Sequence, residues 1–118
     1  MIAKYLNIWT EKSPNGGTDN ALATATRAAV AGQRQCITYV VAGYTGDAAA
    51  GKVLTIYDGA TVKLEVPFLT NPVIVALPGG SPLLRGTKAG AVSATLEASG
   101  TAGVKGYVNI GGFADPNG

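Results

Sequence analysis

Val92-Ser-Ala-Thr-Leu-Glu-Ala98 and Val104-Lys-Gly-Tyr-Val-Asn-Ile110, set on either side of the small-residue stretch Ser99-Gly-Thr-Ala-Gly103, decide the fold class. Apolar residues fall at every second position: Val92, Ala94, Leu96 and Ala98 in the first run, Val104, Val108 and Ile110 in the second. That is the period of a strand with one face buried. Ser93, Thr95, Glu97, Lys105 and Asn109 take the alternate positions and are expected in water. The two runs read as a β-hairpin closed by residues 99–103. Nothing in it is reactive.

The same reading extends upstream. Lys52-Val-Leu-Thr-Ile-Tyr57 and Thr61-Val-Lys-Leu-Glu-Val66 flank Asp58-Gly59, a pair suited to a type I′ turn because both central residues of that turn need φ > 0. Leu54 and Ile56 are expected on one face, and Val62, Leu64 and Val66 inward on the return strand, with Lys63 and Glu65 outward. Cys36 to Tyr44 is strongly strand-like. Ala21 to Ala31 carries alanines that favour a helix and alternating threonines that permit a strand; an extended segment is expected. Val73-Ile-Val-Ala-Leu77, bracketed by prolines, is continuous in apolar character, as in a strand covered on both faces. Residues 13–20 read as a loop, and Ala114 to Gly118 as a frayed tail.

At the amino end, Leu6 and Ile8 alternate with Tyr5 and Trp9. If Leu6 and Ile8 face the core, Tyr5 and Trp9 face outward toward a neighbouring chain. The alternative is that a bulge or the opposite sheet buries Trp9 within the domain.

Composition agrees with this pattern. With 118 residues the chain is long enough for one domain, residues 1–118, with one core. Its 17 glycines and 6 prolines fall between the apolar runs, where turns belong, and would each weaken a helix. The expected architecture is all-β, a single-domain β-sandwich or jelly roll of about seven to nine short strands.

Catalytic chemistry finds little footing. There is no histidine and one cysteine, Cys36, so a serine triad or cysteine nucleophile lacks its usual base, and a zinc site lacks its usual donors. Gly46-Asp-Ala-Ala-Ala-Gly-Lys52 matches the core of a phosphate-binding loop, but Val53 stands where Ser or Thr should hold Mg²⁺, and a strand follows in place of a helix. The seven acidic residues lie mostly in turns or on polar strand faces, and no two are placed as a glycosidase pair. The nine basic residues, for a net charge of +2, stand singly and form no nucleic-acid footprint. No apolar run approaches the roughly 20 residues of a membrane span. No catalytic, cofactor-binding or metal-ligating residue, small-molecule substrate, nucleic acid or membrane partner is therefore expected, and the chain reads as a non-enzyme.

Four pieces carry a resemblance: Ala23-Thr-Ala-Thr-Arg-Ala-Ala-Val-Ala-Gly-Gln-Arg-Gln-Cys-Ile-Thr38, Ala50-Gly-Lys-Val-Leu-Thr-Ile-Tyr-Asp-Gly59, Leu84-Arg-Gly-Thr87 and Ala98-Ser-Gly-Thr-Ala-Gly-Val-Lys-Gly-Tyr-Val-Asn109. Together they resemble small virion structural proteins of tailed bacteriophages, over residues 20–113. The resemblance implies a capsid decoration or cement protein, a homotrimer seated on the major capsid protein, made in the bacterial cytoplasm and carried in the virion. It transfers no functional residue. With that role, residues 1–20 become an arm or capsid-contact segment, with Tyr5, Trp9 and Asn15 as candidate capsid contacts, and Val73, Val75 and Leu77 as the candidate subunit interface. The alternative is a tail, neck or fibre module binding host glycan or protein, in which Tyr39, Tyr44 and Tyr107 would be the first residues to test.

Overall fold

A computed structural model describes residues 8–13 and 20–116. Their regular structure is nine strands and a 3₁₀ turn at Pro78–Gly80. The strands are β1 (Ile8–Lys12), β2 (Ala23–Arg27), β3 (Arg34–Tyr44), β4 (Val53–Asp58), β5 (Thr61–Pro67), β6 (Val73–Ala76), β7 (Leu84–Lys88), β8 (Val92–Leu96) and β9 (Gly106–Asp115). They form two antiparallel sheets packed as a β-sandwich. Sheet A runs β1-β9-β3, with β6 and β7 lying end to end along the far side of β3; sheet B runs β2-β8-β4-β5.

The pairings nest. β4 pairs with β5, β3 with β6 and β7, β2 with β8, and β1 with β9. A long two-stranded ribbon, hinged at the β4–β5 turn and rolled so that its rungs alternate between two sheets, produces this order, which is jelly-roll connectivity. The hinge has Gly59 at φ 61 as its first central residue, while Ala60 is not in the positive-φ region, so the turn has the φ pattern of type II′ and not the expected I′.

The inner faces supply the core. Val92, Ala94 and Leu96 of β8 and Leu54 and Ile56 of β4 meet Val40 and Ala42 of β3 and Val108 and Ile110 of β9, all fully or almost fully buried. Each buried branched side chain contributes about 1.5–3 kcal/mol, so the alternation read from the sequence is the main stabilising pattern.

Several expectations are corrected. Residues 92–110 are not a hairpin: β8 lies in sheet B between β2 and β4, whereas β9 lies in sheet A between β1 and β3. The connector crosses the edge of the sandwich and is fastened by Ser99, which is fully buried. Its hydroxyl lies 2.9 Å from the Val104 carbonyl oxygen and accepts the Thr101 N–H at 3.1 Å, while its own carbonyl accepts the Ala49 N–H at 2.8 Å. The β5 register also shifts between Ile56 and Tyr57, pairing Val62 with Tyr57, and β5 is the edge strand of sheet B; Val62 is 48% and Leu64 37% exposed where both were expected inside. Nor is the tail frayed as far as it is described: Ala114 is buried, and Asp115 pairs with Arg34 at the end of β9.

Candidate functional site

The residues singled out for capsid contact separate. Tyr5 and Asn15 lie outside the described residues. Trp9 is corrected from an outward contact to a core residue: it is 5% exposed, and Ile8 beside it is 63% exposed, so the parity of β1 is the reverse of that expected. Its register explains why. Trp9 lies opposite Gly112, whose missing side chain leaves room for the indole; a Cβ there would stand 3.0 Å from Trp9 Cζ2. Arg27 of β2 closes the other side, with its guanidinium carbon 5.3 Å from the indole centroid and its Nη1 donating to Glu11 Oε2 at 3.0 Å. Ile8–Lys12 therefore belongs to sheet A and not to a detached arm.

The candidate interface strand is also rearranged. Val73 and Val75 turn inward and pack against the core of their own sandwich, whereas Ile74 and Leu77 are 68% and 46% exposed. β6 is an edge strand with one open face, not one covered on both. Asn71 anchors the approach to it. Its amide nitrogen donates to the Tyr44 carbonyl at 3.0 Å and its oxygen accepts the Tyr44 N–H at 3.0 Å, extending the β3 ladder with a side chain.

The outer face of sheet A gathers side chains from four strands into a grid. One rung holds Thr10, Gly111, Tyr39 and Ala76; the next holds Lys12, Asn109, Val41 and Ile74; beyond it Tyr107 stands opposite Gly43. The Tyr39 ring lies across Gly111 and the Tyr107 ring across Gly43, because a Cβ built at either glycine would collide with the phenol above it. Each ring thus has one side against backbone. A groove of about 690 Å³ opens beside Tyr39, lined by Thr10, Glu11, Lys12, Val41 and Asn109. Glu11 is occupied by Arg27; Lys12 has no ion-pair partner among the described residues.

Of the three tyrosines considered for recognition, Tyr44 does not reach this face. It is 4% exposed, packs edge-on against Phe68 at 4.9 Å, and donates its hydroxyl to the Glu97 carbonyl at 2.7 Å. Burial, with Glu97 nearby, pushes its phenol up to about 12. The glycine pairing that seats Tyr39 and Tyr107 depends on β3–β9 register, so the sequence shows the tyrosines without showing that they share a face.

The remaining chemistry is structural. Gly46 and Gly51 line a second groove of about 440 Å³ with Phe68, Leu69 and Asn71, but the chain enters strand β4 at Val53 and offers no helix N-terminus to a phosphate. Cys36 is fully buried, and desolvation pushes its thiol up against the weaker pull of Arg85 and Arg34, which keeps it protonated. No cluster of three metal-ligating side chains occurs among the described residues, nor does any helix there have the length and apolarity to cross a membrane.

No protein-family model, curated protein or solved structure matches the chain.

Proposed function

We propose that the chain is a non-enzymatic virion structural protein, a capsid decoration or cement component that acts by packing against the major capsid protein and against copies of itself. One observation carries the reading. Val62, Leu64, Leu69, Ile74 and Leu77 are all among the exposed large apolar residues, at 48, 37, 86, 68 and 46%, and they fall in one short segment spanning β5 and β6. From Val66 to Leu84 the chain carries no charged residue. An uncovered apolar flank whose exposed charges are confined to Lys63 and Glu65 on β5, with none from Val66 to Leu84, has the composition of the centre of a protein interface, and in a rolled ribbon β5 and β6 both lie toward the same edge. A rigid sandwich presenting such a flank is suited to binding a shell and has no need of a reaction.

The homotrimer belongs to this proposal. Light scattering coupled to size exclusion should give three times the chain mass of 11.8 kDa. Ile74→Asp and Leu69→Asp, both at exposed positions, should reduce the mass toward that of a monomer and abolish co-sedimentation with undecorated capsids. A wild-type monomer that ignores such capsids would overturn the reading.

A further inference from the structure

We propose that the outer face of sheet A is a binding site for an acidic oligosaccharide, with a sugar ring stacked on Tyr39 and a carboxylate on Lys12. The site lies on β1, β9 and β3, with Ile74 of the apolar flank at the far end of the Lys12 rung on β6, and the inference does not depend on the chain being a shell component.

The argument begins with the aromatic surface. Tyr39 and Tyr107 lie on glycines of the neighbouring strand, so one side of each ring is held by backbone and the other is turned away from it. A ring fixed in this way loses little freedom when a flat apolar ligand covers it. The Tyr39 and Tyr107 rungs are four residues apart on β3, which is about 13 Å along the strand. That distance suits a chain of rings better than a single small molecule.

Polar groups complete the site. Thr10, Lys12 and Asn109 surround the position of the Tyr39 ring and offer a hydroxyl, an ammonium and an amide. A sugar needs this combination, an apolar face in contact with an aromatic ring and hydroxyls bonded at the rim. Charge selects among sugars. Glu11 has the strand parity of the inward-facing Trp9 and is paired with Arg27 of the opposite sheet, while the exposed Lys12 ammonium has no ion-pair partner among the described residues, so a ligand carboxylate complements the groove.

The test uses the full chain with three tetrasaccharides: one of glucuronic acid, its methyl ester, and one of glucose. Titration calorimetry and amide chemical-shift mapping should show the acidic tetramer binding, with shifts centred on Thr10, Tyr39 and Asn109 and absent from β4 and β8. The ester and the glucose tetramer should bind more weakly, and added salt should narrow the difference. Tyr39→Ala should weaken the acidic tetramer about tenfold. Lys12→Gln, at an exposed position that leaves the sandwich intact, should reduce its affinity to that of the ester. Equal binding of all three sugars, shifts elsewhere, or no binding by a chain with native melting behaviour would each overturn the proposal. None of these outcomes bears on the capsid assay.

Discussion

Asp58 accepts two hydrogen bonds from Thr87, one from its backbone N–H at 3.0 Å and one from its hydroxyl at 2.7 Å. The first residue ends β4 in sheet B and the second belongs to β7 in sheet A, so the pair stitches the hinge of the ribbon to the opposite layer. Asp58→Ala should cost about 1–2 kcal/mol in urea unfolding, because it removes both bonds and leaves the Thr87 N–H without its acceptor. The pH dependence follows from direction. Burial raises the carboxyl, but the two Thr87 bonds, with Lys63 and Arg34, outweigh it and hold Asp58 below its ordinary value. Its contribution is therefore complete above the unfolded value of about 4 and is lost as pH falls through the folded one. Melting temperature should fall on acidification in the wild type, and Asp58→Asn should flatten that fall.

Tyr44 sets the opposite limit. Its neutral phenol donates to the Glu97 carbonyl and titrates at about 12 in the folded chain. Because the folded value lies above the unfolded value of about 10, the stabilisation is present below pH 10 and disappears as pH rises toward the folded value. Tyr44→Phe should cost about 1 kcal/mol at neutral pH and remove part of the alkaline destabilisation. Phenolate absorbance should show a late-titrating component that Tyr44→Phe removes.

Fold class was legible because alternation is a local property: Val92, Ala94 and Leu96 share a face whatever β8 pairs with. Pairing is not local. The runs at 92–98 and 104–110 alternate as a hairpin's strands would, yet Ser99 turns the intervening chain across the sandwich edge and its neighbours come from residues far away in sequence. The site was hidden for the same reason. Tyr39 and Tyr107 share a face only through their glycine partners at 111 and 43, and a one-residue change of register would part them. The apolar run Val73–Leu77 misled differently, since uniform apolarity describes a doubly covered strand and an edge strand alike until its neighbours are known.

Trp9 offers a direct check on strand parity. It is the chain's single tryptophan, so its emission reports one environment, which should be blue-shifted in the folded chain and move to the red on unfolding. Trp9→Ala should cost about 3–5 kcal/mol, as expected for a buried aromatic. Ile8→Ala, at a residue 63% exposed, should stay within about 0.5 kcal/mol. Arg27→Ala removes the cation over the indole and the partner of Glu11, both partly exposed, and should cost about 1 kcal/mol or less.

Adjacent glycines of β9 should respond unequally to the same methyl group. At Gly112 a Cβ would collide with the Cys36 carbonyl and press on Trp9 Cζ2 at 3.0 Å. The first obstacle is backbone, at the place where the β3 register shifts between Ile37 and Tyr39 and the Thr38 hydroxyl donates to the Gly111 carbonyl at 3.2 Å. Neither strand can yield without breaking the ladder. At Gly111 the obstacle is the distal end of the Tyr39 ring, which can swing into solvent. Gly112→Ala should therefore cost at least about 3 kcal/mol or prevent folding, while Gly111→Ala should cost about 1 kcal/mol. Chemical denaturation compares the two stabilities, and the Gly111→Ala protein, folded but with its ring displaced, should lose affinity for the acidic tetrasaccharide while its Trp9 emission stays native.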